Sequence, residues 1–286
     1  MFLALKEMKK EKTRFLMIIL TTALIAYLVY FLSSLAYGLA QINRTAIDQW
    51  DAEGIVLSKD ANGNILSSFY KRPEEKWSDD LEVLKLENVV AYLEKDQEEK
   101  NPLNFVLMNV DMKGRLIAPL TEGRLAEKAD EIVLSQTILD KVNLKLHDKI
   151  KLAGHDGMYE IVGLTDDANF NTVPVAYLDY HFDDTKHPAE VISALVNFDE
   201  DFELQSSDYK YYDTKAFINN LPGYKAQVLT FSLMIIALSL VATIIIGIFM
   251  YILTMQKKSV FGVLKLQGYQ NRYIMNSVML QTLVVV

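Results

Sequence analysis

The chain has 286 residues, 51% of them hydrophobic and 23% charged, and its formal net charge at pH 7 is −8. It contains no cysteine, which excludes disulfide bonds and a cysteine nucleophile. The acidic balance argues against a nucleic-acid partner, because phosphate backbones require a basic protein surface.

Two long stretches, residues 15–43 and 226–256, contain no Asp, Glu, Lys or Arg. An apolar run of about 20 residues can cross the hydrocarbon core of a bilayer as a helix. The sequence therefore predicts a membrane protein with a polar domain, residues 44–225, between two transmembrane helices. A cleaved signal peptide is the alternative for the first stretch, but its apolar core is about twice the ~7–15 residues of a signal sequence.

The distribution of charge predicts the orientation. Residues 1–14 and 257–272 together carry nine of the 29 basic residues and two of the 37 acidic ones, which leaves 20 basic and 35 acidic residues between them. Short loops rich in Lys and Arg remain in the cytoplasm. We therefore expect a multi-pass protein of a bacterial cytoplasmic membrane, with residues 44–225 outside.

Residues 1–43 are predicted to form two parts, a helix in the membrane interface and the first span. The interfacial helix is predicted because lysines lie opposite an apolar face. Within that span Tyr27, Tyr30, Ser34 and Tyr37 recur at spacings of three and four, so they share one helix face. That face either packs against another helix or lines a site for an amphiphilic ligand.

The middle region, residues 44–225, is predicted to be a mixed α+β domain. We expect the first helix to continue through residues 41–50. Asn62-Gly63-Asn64 predicts a hairpin turn, and Pro222-Gly223 ends the last helix before the second span. The predicted strands are 54–57, 65–70, 105–110, 131–134, 149–152, 159–164 and 173–178, and the predicted helices are 135–142 and 210–221.

A basic segment, residues 257–272, follows the second span, residues 226–256. Its apolar residues alternate with lysines, and Gly268 indicates the end of a helix. Residues 273–286 form a third uncharged run. We expect this run to be the start of a truncated third transmembrane helix; a short cytoplasmic amphipathic tail is the alternative.

Catalytic motifs are missing from the sequence. It has no Walker A pattern and no Gly-x-Ser-x-Gly. Its four histidines lack the spacing of a helical zinc pair, and a loop with His181 and His187 is read as solvated and acidic rather than as a metal site. The spans carry no charge, which argues against ion-coupled transport. Energy for any transport must therefore come from a partner.

Two stretches resemble the FtsX-like, MacB-type family of ABC transporter permeases. The segment after the second span matches the family signature at Gly262, Val263, Leu264, Lys265 and Gly268. Val260 stands there where an acidic residue is usual, and Leu266 replaces a small residue. Residues 131–164 are similar to the MacB-type extracytoplasmic domain, with His147 at a position usually held by glycine.

The resemblance implies a chain with four transmembrane helices, two of them complete here, and a mixed α+β extracytoplasmic domain between the first and second. It also implies a homodimer in the lipid bilayer that works with cytoplasmic ABC ATPase subunits. The ATPase would bind ATP, so this chain is expected to be no enzyme and to hold no permanent cofactor or metal. The sequence looks most like the HrtB/DevC branch, whose HrtB-type members export haem.

Two groups of candidate residues follow. The coupling group, expected to contact the ATPase, is Lys257, Lys258, Phe261, Gly262, Val263, Leu264, Lys265 and Gly268. The candidate substrate contacts, if haem is the substrate, are Tyr27, Tyr30, Tyr37, Met234 and Met250, because phenolate and thioether groups ligate haem iron.

The expected function is the permease subunit of an efflux system that exports haem or another amphiphilic molecule by ATP-driven mechanotransmission. The main alternative is an FtsX-like signal transmitter that moves no substrate and acts on a cell-wall hydrolase or a peptide partner. A receptor without an ATPase is a third possibility.

Overall fold

The computed structural model describes residues 12–73, 78, 80–93, 102–139, 144–182, 191–204 and 206–285. The chain forms two compact units. We call residues 12–37 with 228–285 the helical unit, and residues 38–227 the sheet unit.

The α-helices within the described residues fall at both ends of the chain and at three short places between. Their bounds are α1 Lys12–Ile42, α2 Thr45–Trp50, α3 Gln136–Leu139, α4 Thr214–Asn219, α5 Tyr224–Gln256, α6 Lys258–Leu266 and α7 Asn271–Val285.

The described strands all lie in the sheet unit. Their bounds are β1 Gly54–Ser58, β2 Tyr70–Lys71, β3 Leu81–Leu93, β4 Leu103–Val110, β5 Leu120–Gly123, β6 Glu131–Ser135, β7 Lys149–Leu152, β8 Tyr159–Thr165, β9 Asn169–Phe170, β10 Val173–Asp179, β11 Val191–Ile192, β12 Ala194–Asn197 and β13 Tyr209–Asp213.

Helices α1 and α5 contain the two predicted spans, and both predictions of a long helix are confirmed. By length and composition each could cross a membrane, with mean hydropathy of 2.4 and 2.8 in their most apolar parts. Only 17% of that part of α1 is buried, and none of that part of α5. These apolar helices therefore expose most of their surface, as helices that face lipid or other helices do.

The sheet unit contains a mixed sheet, as the sequence predicts for an α+β domain. Eleven strands take part, in the order β13-β1-β12-β3-β4-β10-β6-β8-β5, with β7 paired to β3 and β8, and β9 paired to β10. Strands β2 and β11 form a separate two-stranded sheet. The pairs β4–β10 and β6–β8 are parallel, and the other pairs are antiparallel.

One face of the large sheet, which we call the front face, carries the main apolar core. Side chains such as Ile55, Leu86 and Tyr177 lie on it and pack with Trp50 of α2 and Phe217 of α4. The opposite, back face carries two separate apolar clusters. One contains Val56, Val83 and Leu195, and the other contains Val89, Leu107 and Ile161.

Four predictions of local structure are wrong. Asn62-Gly63-Asn64 forms a turn but no hairpin, because β1 pairs with β12 and β13 and not with residues 65–70. The first helix does not continue through residues 41–50, because Arg44 leaves the helical conformation with φ −134° and α2 begins at Thr45. Residues 65–70 are not one strand: a 3-10 helix covers Ile65–Ser67, since the Asn64 side chain accepts a hydrogen bond from the Leu66 amide.

The fourth incorrect prediction is a helix over residues 210–221. Strand β13 occupies the first part and pairs with β1, and α4 begins only at Thr214. The Asp213 side chain starts that helix by accepting a hydrogen bond of 2.7 Å from the Ala216 amide. The predicted helix over residues 135–142 is described only as α3, because residues 140–143 lie outside the described part.

The backbone conformation at His147 explains why a glycine is usual at this position. Its φ is +69°, in the left-handed region that glycine occupies most easily. The His147 amide donates a hydrogen bond of 2.8 Å to the Ile161 carbonyl, and its ring Nδ1 lies 2.8 Å from the Glu160 carboxylate. The turn thus keeps its shape with a histidine.

Candidate functional site

The predicted coupling segment is a short helix that follows α5 after one residue. The Lys257 amide donates to the Thr254 carbonyl at 3.1 Å, and the Lys257 carbonyl accepts from the Phe261 amide at 3.0 Å. Lys257 therefore ends one helix and starts the next. The chain bends here without losing its backbone hydrogen bonds.

Helix α6 ends in a regular C-terminal cap. Gly268 has φ +86°, and its amide donates to the Lys265 carbonyl at 3.0 Å. The Tyr269 amide donates to the Leu264 carbonyl at 3.1 Å. This pair of bonds is a Schellman motif, which usually needs glycine at the left-handed position. The structure confirms Gly268 as the end of the helix.

Lys257 differs from the other coupling candidates because its side chain is buried. Only 7% of the residue is exposed, and its ammonium lies 5.3 Å from the centre of the Phe15 ring. Such a cation–π contact is strongest where water is excluded. Phe15 also belongs to a small apolar cluster with Ile18 and Leu253. Lys257 is thus placed to anchor α6 within the helical unit rather than to face a partner.

The exposed surface of α6 is apolar along one row and basic beside it. Val260, Val263 and Leu266 recur every third residue and are 46%, 54% and 91% exposed. Lys258 and Lys265 are exposed as well, whereas Phe261 and Leu264 are half-buried. We call Val260, Val263 and Leu266 the α6 row.

Two members of this row, Val260 and Leu266, are not among the predicted coupling residues. Both belong to the apolar residues of the basic segment, and both depart from the family pattern. Their spacing of three residues around Val263 was the available signal. Gly262 lies beside the row, and a Cβ atom at this position would meet no atom of the described residues within 4 Å. The helical unit therefore leaves open space above Gly262.

The tyrosines of α1 form an exposed face. Tyr27, Tyr30 and Tyr37 are 62%, 76% and 68% exposed, and the Tyr27 ring stacks on Phe31 at a centroid distance of 6.1 Å. The less exposed residues of α1 lie elsewhere, at Phe15, Ile18, Thr22, Ile25 and Val29. Tyr27 follows Ile25 by two positions, which is about 200° around a helix. Tyr27 therefore points away from that less exposed stripe.

The two candidate methionines lie in different surroundings. Met250 packs against the cluster of Phe15, Ile18 and Leu253, so it serves packing in this structure. Phe15 and Tyr27 are separated by roughly 18 Å along α1, at 1.5 Å per residue. Met250 is therefore remote from the tyrosine face of the same chain. Met234 is 44% exposed on α5.

The sheet unit contains a polar junction at Asn43 that was not predicted from the sequence. Asn43 is 3% exposed, and its amide donates to the Leu39 carbonyl at 2.7 Å and to the Gln227 side-chain oxygen at 2.9 Å. The Asn43 carbonyl accepts a hydrogen bond of 2.8 Å from the Asn171 amide. The end of α1, the start of α5 and the loop after β9 therefore meet at Asn43.

An ion pair between the buried carboxylate of Glu131 and the exposed guanidinium of Arg124 fixes the start of β6. Both carboxylate oxygens of Glu131 accept hydrogen bonds from the Arg124 guanidinium, at 2.5 and 2.7 Å, and one accepts from the Glu127 amide at 2.8 Å. The hydrogen bonds from Arg124 are the main cause that lowers the pKa of Glu131 to about 2. The pair is placed to support the fold rather than to react.

A metal centre of three His, Asp or Glu side chains is not formed by the part of the chain that the structure describes. His181 lies in a 3-10 turn with its Nδ1 2.6 Å from the Asp179 carboxylate. His187, the other residue of the loop considered for a metal ion, lies outside the described residues.

Comparison with known proteins gives relatives for nearly the whole chain. It is 26% identical over 293 aligned positions to the hemin transport system permease protein HrtB of Staphylococcus epidermidis, with 98% of this chain and 80% of that protein covered. It is 25% identical to the protein of the same name in Staphylococcus haemolyticus, with the same coverage. This similarity confirms the resemblance to the HrtB branch. No family model matches the chain.

Two solved structures are also similar to the chain. The periplasmic region of MacB from Actinobacillus actinomycetemcomitans aligns with a TM-score of 0.42 and 9% identity, over 57% of this chain and 89% of that one. The extracellular domain of the noncanonic ABC-type transporter YknZ from Gram-positive bacteria aligns with a TM-score of 0.37 and 11% identity, over 55% and 85%.

Proposed function

We propose that this chain is the permease subunit of an ABC-type efflux system that exports haem or another amphiphilic small molecule. In this proposal a homodimer lies in a bacterial cytoplasmic membrane, with residues 44–225 outside. ATP is hydrolysed by separate cytoplasmic ATPase subunits. The similarity to the hemin transport permeases along 98% of the chain supports the class of protein and the choice of haem as the first substrate to test.

The observation that carries the proposal is the α6 row. Three apolar side chains, Val260, Val263 and Leu266, stand exposed on a helix that also presents Lys258 and Lys265. Exposed apolar side chains with a charged rim are typical of a protein interface. The buried Lys257 anchors the same helix, so a force applied to the row would reach α5 rather than merely bend the connection.

The path from α6 to residues 44–225 is short. Helix α5 begins at Tyr224, directly after Pro222-Gly223, and runs to Gln256 without interruption. Gln227, in its first turn, is hydrogen-bonded to Asn43 at the end of α1. In the proposed mechanism, closure of the ATPase subunits moves α6, α5 carries the displacement, and the polar junction passes it to both connections of the sheet unit.

The tyrosine face of α1 is the proposed lining of the export route. Two copies of α1 in a dimer would place Tyr27, Tyr30 and Tyr37 on either side of a cleft that opens and shuts. A phenolate can ligate haem iron, and aromatic rings accept the flat porphyrin. Met234 remains a candidate contact from α5, whereas Met250 is assigned to packing.

Haem tolerance of living cells tests this proposal. Cells without their own haem exporter would produce the full-length protein together with the ATPase encoded beside its gene. We expect growth in otherwise toxic haem, and loss of that growth when Gly262→Pro breaks α6 by removing an amide donor, at a cost of about 3 kcal/mol. Protease resistance of residues 44–225 should be unchanged in this variant.

Two results would count against the proposal in different ways. Retained haem tolerance in the Gly262→Pro variant would exclude α6 as the coupling element. A purified full-length protein that gives no shift of the haem Soret band would exclude haem, while leaving other amphiphilic substrates to be tried.

The alternative is a signal transmitter that uses the same ATP-driven motion to act on a cell-wall hydrolase or a peptide partner. It shares α6 and the polar junction with the efflux proposal but does not need the tyrosine face. Deletion of the gene would then alter cell separation and leave haem tolerance unchanged.

A further inference from the structure

Strands β6 and β8 are parallel, so their carboxyl ends lie at the same edge of the sheet. Each strand ends on a buried hydroxyl residue, Ser135 in β6 and Thr165 in β8. Polar residues follow both ends. Thr137 comes two positions after β6, and Asp166 and Asp167 follow β8 directly. This edge of the sheet therefore collects side-chain oxygen atoms from two strands.

A closed ring of hydrogen bonds ties this edge to α2. The Thr137 hydroxyl donates to the Asp167 carboxylate at 2.9 Å and accepts from the Asn169 side-chain amide at 3.4 Å. The Asn169 backbone amide donates to the Thr45 hydroxyl at 2.7 Å. The Gln49 side-chain amide donates to the Asp167 carbonyl at 3.0 Å. Thr45 and Gln49 are four positions apart on α2, so they share one helix face and close the ring. We call these five residues the oxygen ring.

Two oxygen atoms of the ring are buried without a hydrogen-bond partner in the described part of the chain. They are Oδ1 of Asn169 and Oε1 of Gln49, the acceptor atoms of two side-chain amides. Asn169 is only 5% exposed. Its Nδ2 is directed to Thr137 within the ring, so the Oδ1 atom of the same amide lies at the ring as well. Burial of an acceptor without a partner is unfavourable, so both atoms favour a ligand that attracts oxygen lone pairs.

The charges around the ring favour a cation as this ligand. Asp166 and Asp167 are exposed, so the ring is reached from solvent past two carboxylates. The Asp166 carboxylate accepts a hydrogen bond of 2.8 Å from the Asp167 amide, which places the two acids side by side. None of the ring residues is basic. Two carboxylates balance the charge of a divalent cation.

The donor atoms favour calcium among the divalent cations. Ca²⁺ takes about six to eight oxygen ligands from carboxylates, amide side chains, backbone carbonyls and water, in a flexible geometry. Such a site does not require three His, Asp or Glu side chains, because neutral amide oxygens are ligands too. Zinc prefers nitrogen and sulfur ligands, which the ring lacks. Magnesium requires a near-ideal octahedron, to which a ring spread over α2, the turn after β6 and the loop after β8 is poorly suited.

We propose that the oxygen ring, together with Asp166, binds a calcium ion. Asn169 and Gln49 supply the two buried amide oxygens, Asp166 and Asp167 supply carboxylate oxygens, and water completes the coordination. No metal was expected from the sequence, because the ring draws its residues from three separated segments. The site rests on these contacts and not on the proposed transport activity.

The ion would strengthen the attachment of α2 to the sheet. The loop that carries Asp167 and Asn169 continues to Asn171, whose amide donates to the Asn43 carbonyl at the end of α1. Calcium held between this loop and Gln49 would therefore resist separation of α2 from the sheet. With only two carboxylates, we expect a Kd on the order of 0.1–1 mM, as in extracellular calcium modules.

Thermal unfolding of the full-length protein in detergent tests the site. We expect the unfolding midpoint to rise as CaCl₂ increases from about 0.01 to 10 mM, and to respond much less to MgCl₂. Asp167→Asn keeps an acceptor for Thr137 but removes the charge, so the calcium affinity should fall at least ten-fold. Asp201→Asn is the matched control, because Asp201 is an exposed acid in another acidic loop, and its response should equal that of the parent protein.

A second variant, Asn169→Asp, decides whether the buried oxygen faces the ion. The change keeps an oxygen and adds a charge at a buried position. The variant should therefore be less stable than the parent protein in EDTA and regain that stability when calcium is added. Persistent destabilisation at every calcium concentration would show that a hydrogen-bond donor, rather than a cation, pairs with this oxygen. That result, a parent midpoint that is independent of calcium, or a calcium response that survives Asp167→Asn would overturn the proposal.

Discussion

The side-chain amide of Asn43 donates a hydrogen bond of 2.9 Å to the side-chain oxygen of Gln227, although 184 positions separate the two residues. Asn43 closes the last turn of α1 through Leu39, and Gln227 lies in the first turn of α5. The two chain connections of the sheet unit are therefore tied to each other by one buried contact. A displacement of either connection must break the contact or carry the other along.

Removal of this contact should weaken the junction in a measurable way. Gln227→Ala is expected to lower the free energy of unfolding by about 1 kcal/mol, the net value of one hydrogen bond, and Asn43→Ala by about 2 kcal/mol, because the Asn43 amide also donates to the Leu39 carbonyl. In the double variant the losses should not add, because both changes remove the same bond. Thermal unfolding of the full-length protein provides the four values. Strictly additive losses would show that the two amides do not interact.

The Glu131–Arg124 pair predicts how acid destabilises the sheet unit. The pKa of Glu131 is lowered from 4.5 to about 2, so its ionised form stabilises the native state above pH 4.5. This contribution should be lost as the pH falls from 4.5 to about 2, because the native carboxylate then takes up a proton. Glu131→Gln should cost about 2 kcal/mol at neutral pH and flatten the response in that window.

Denaturant unfolding followed by tryptophan fluorescence measures this response. Glu127→Gln is the matched control, since Glu127 is exposed and contributes its backbone amide to Glu131 rather than its side chain. Its stability should follow the parent at every pH. An acid response that is unchanged in Glu131→Gln would assign the effect to other carboxylates.

A charge introduced into the α6 row is expected to weaken the contact with the ATPase partner. Val263→Glu places a carboxylate on an exposed site, so the chain should fold normally while ATPase stimulation falls at least ten-fold, or ~1.4 kcal/mol of interface energy. Leu120→Glu is the control, because Leu120 is an exposed apolar residue of the sheet unit. Co-purification and ATPase assays measure both. Full stimulation in the Val263→Glu variant would remove the row from the interface.

The tyrosine face predicts a residue-specific loss of haem binding. If a phenolate ligates the iron, either Tyr27→Phe or Tyr30→Phe should weaken binding at least ten-fold, or ~1.4 kcal/mol, and change the Soret band. Tyr251→Phe is the control, since Tyr251 is equally exposed at 66% but lies on α5. Unchanged binding in all three variants would indicate that the aromatic rings, which phenylalanine retains, hold the haem rather than a phenolate.

The long helices could be predicted from the sequence because their composition alone determines them. Residues 15–43 and 226–256 are uninterrupted uncharged runs that are mostly apolar, and no tertiary contact is needed to explain α1 or α5. The end of α6 could also be predicted from neighbouring residues, because Gly268 takes a left-handed conformation and completes a Schellman cap. Such features depend on residues within one or two helical turns.

Strand β3 was not predicted from the sequence because two of its charged side chains lie on a largely buried face of the sheet. Lys85 and Glu87 share a face with Val83 and Val89, so the expected alternation of apolar and polar residues is absent. Lys85 lies 3.5 Å from the Glu87 carboxylate, and the other oxygen of that carboxylate lies 3.5 Å from His155, a residue far along the chain. A pattern that depends on such a distant partner cannot be read from neighbouring residues.

The junction at Asn43 escaped prediction for the same reason. An asparagine after an apolar helix usually indicates a simple end to the helix, and Gln227 gives no local signal of a partner. The hydrogen bond between Asn43 and Gln227 forms only when the sheet unit has folded.

The order of the strands has a consequence for biogenesis. Strand β1, the first made by the ribosome, lies between β12 and β13, the last two of the sheet. One edge stays open until synthesis has reached Asn197, and the other until it has reached Asp213, just before α5 begins at Tyr224. Pairing over such a distance in sequence is slow, and open strand edges invite aggregation. The growing chain therefore needs protection of β1 until its C-terminal partners arrive, and a stop in translation before Asp213 would leave the domain unfinished.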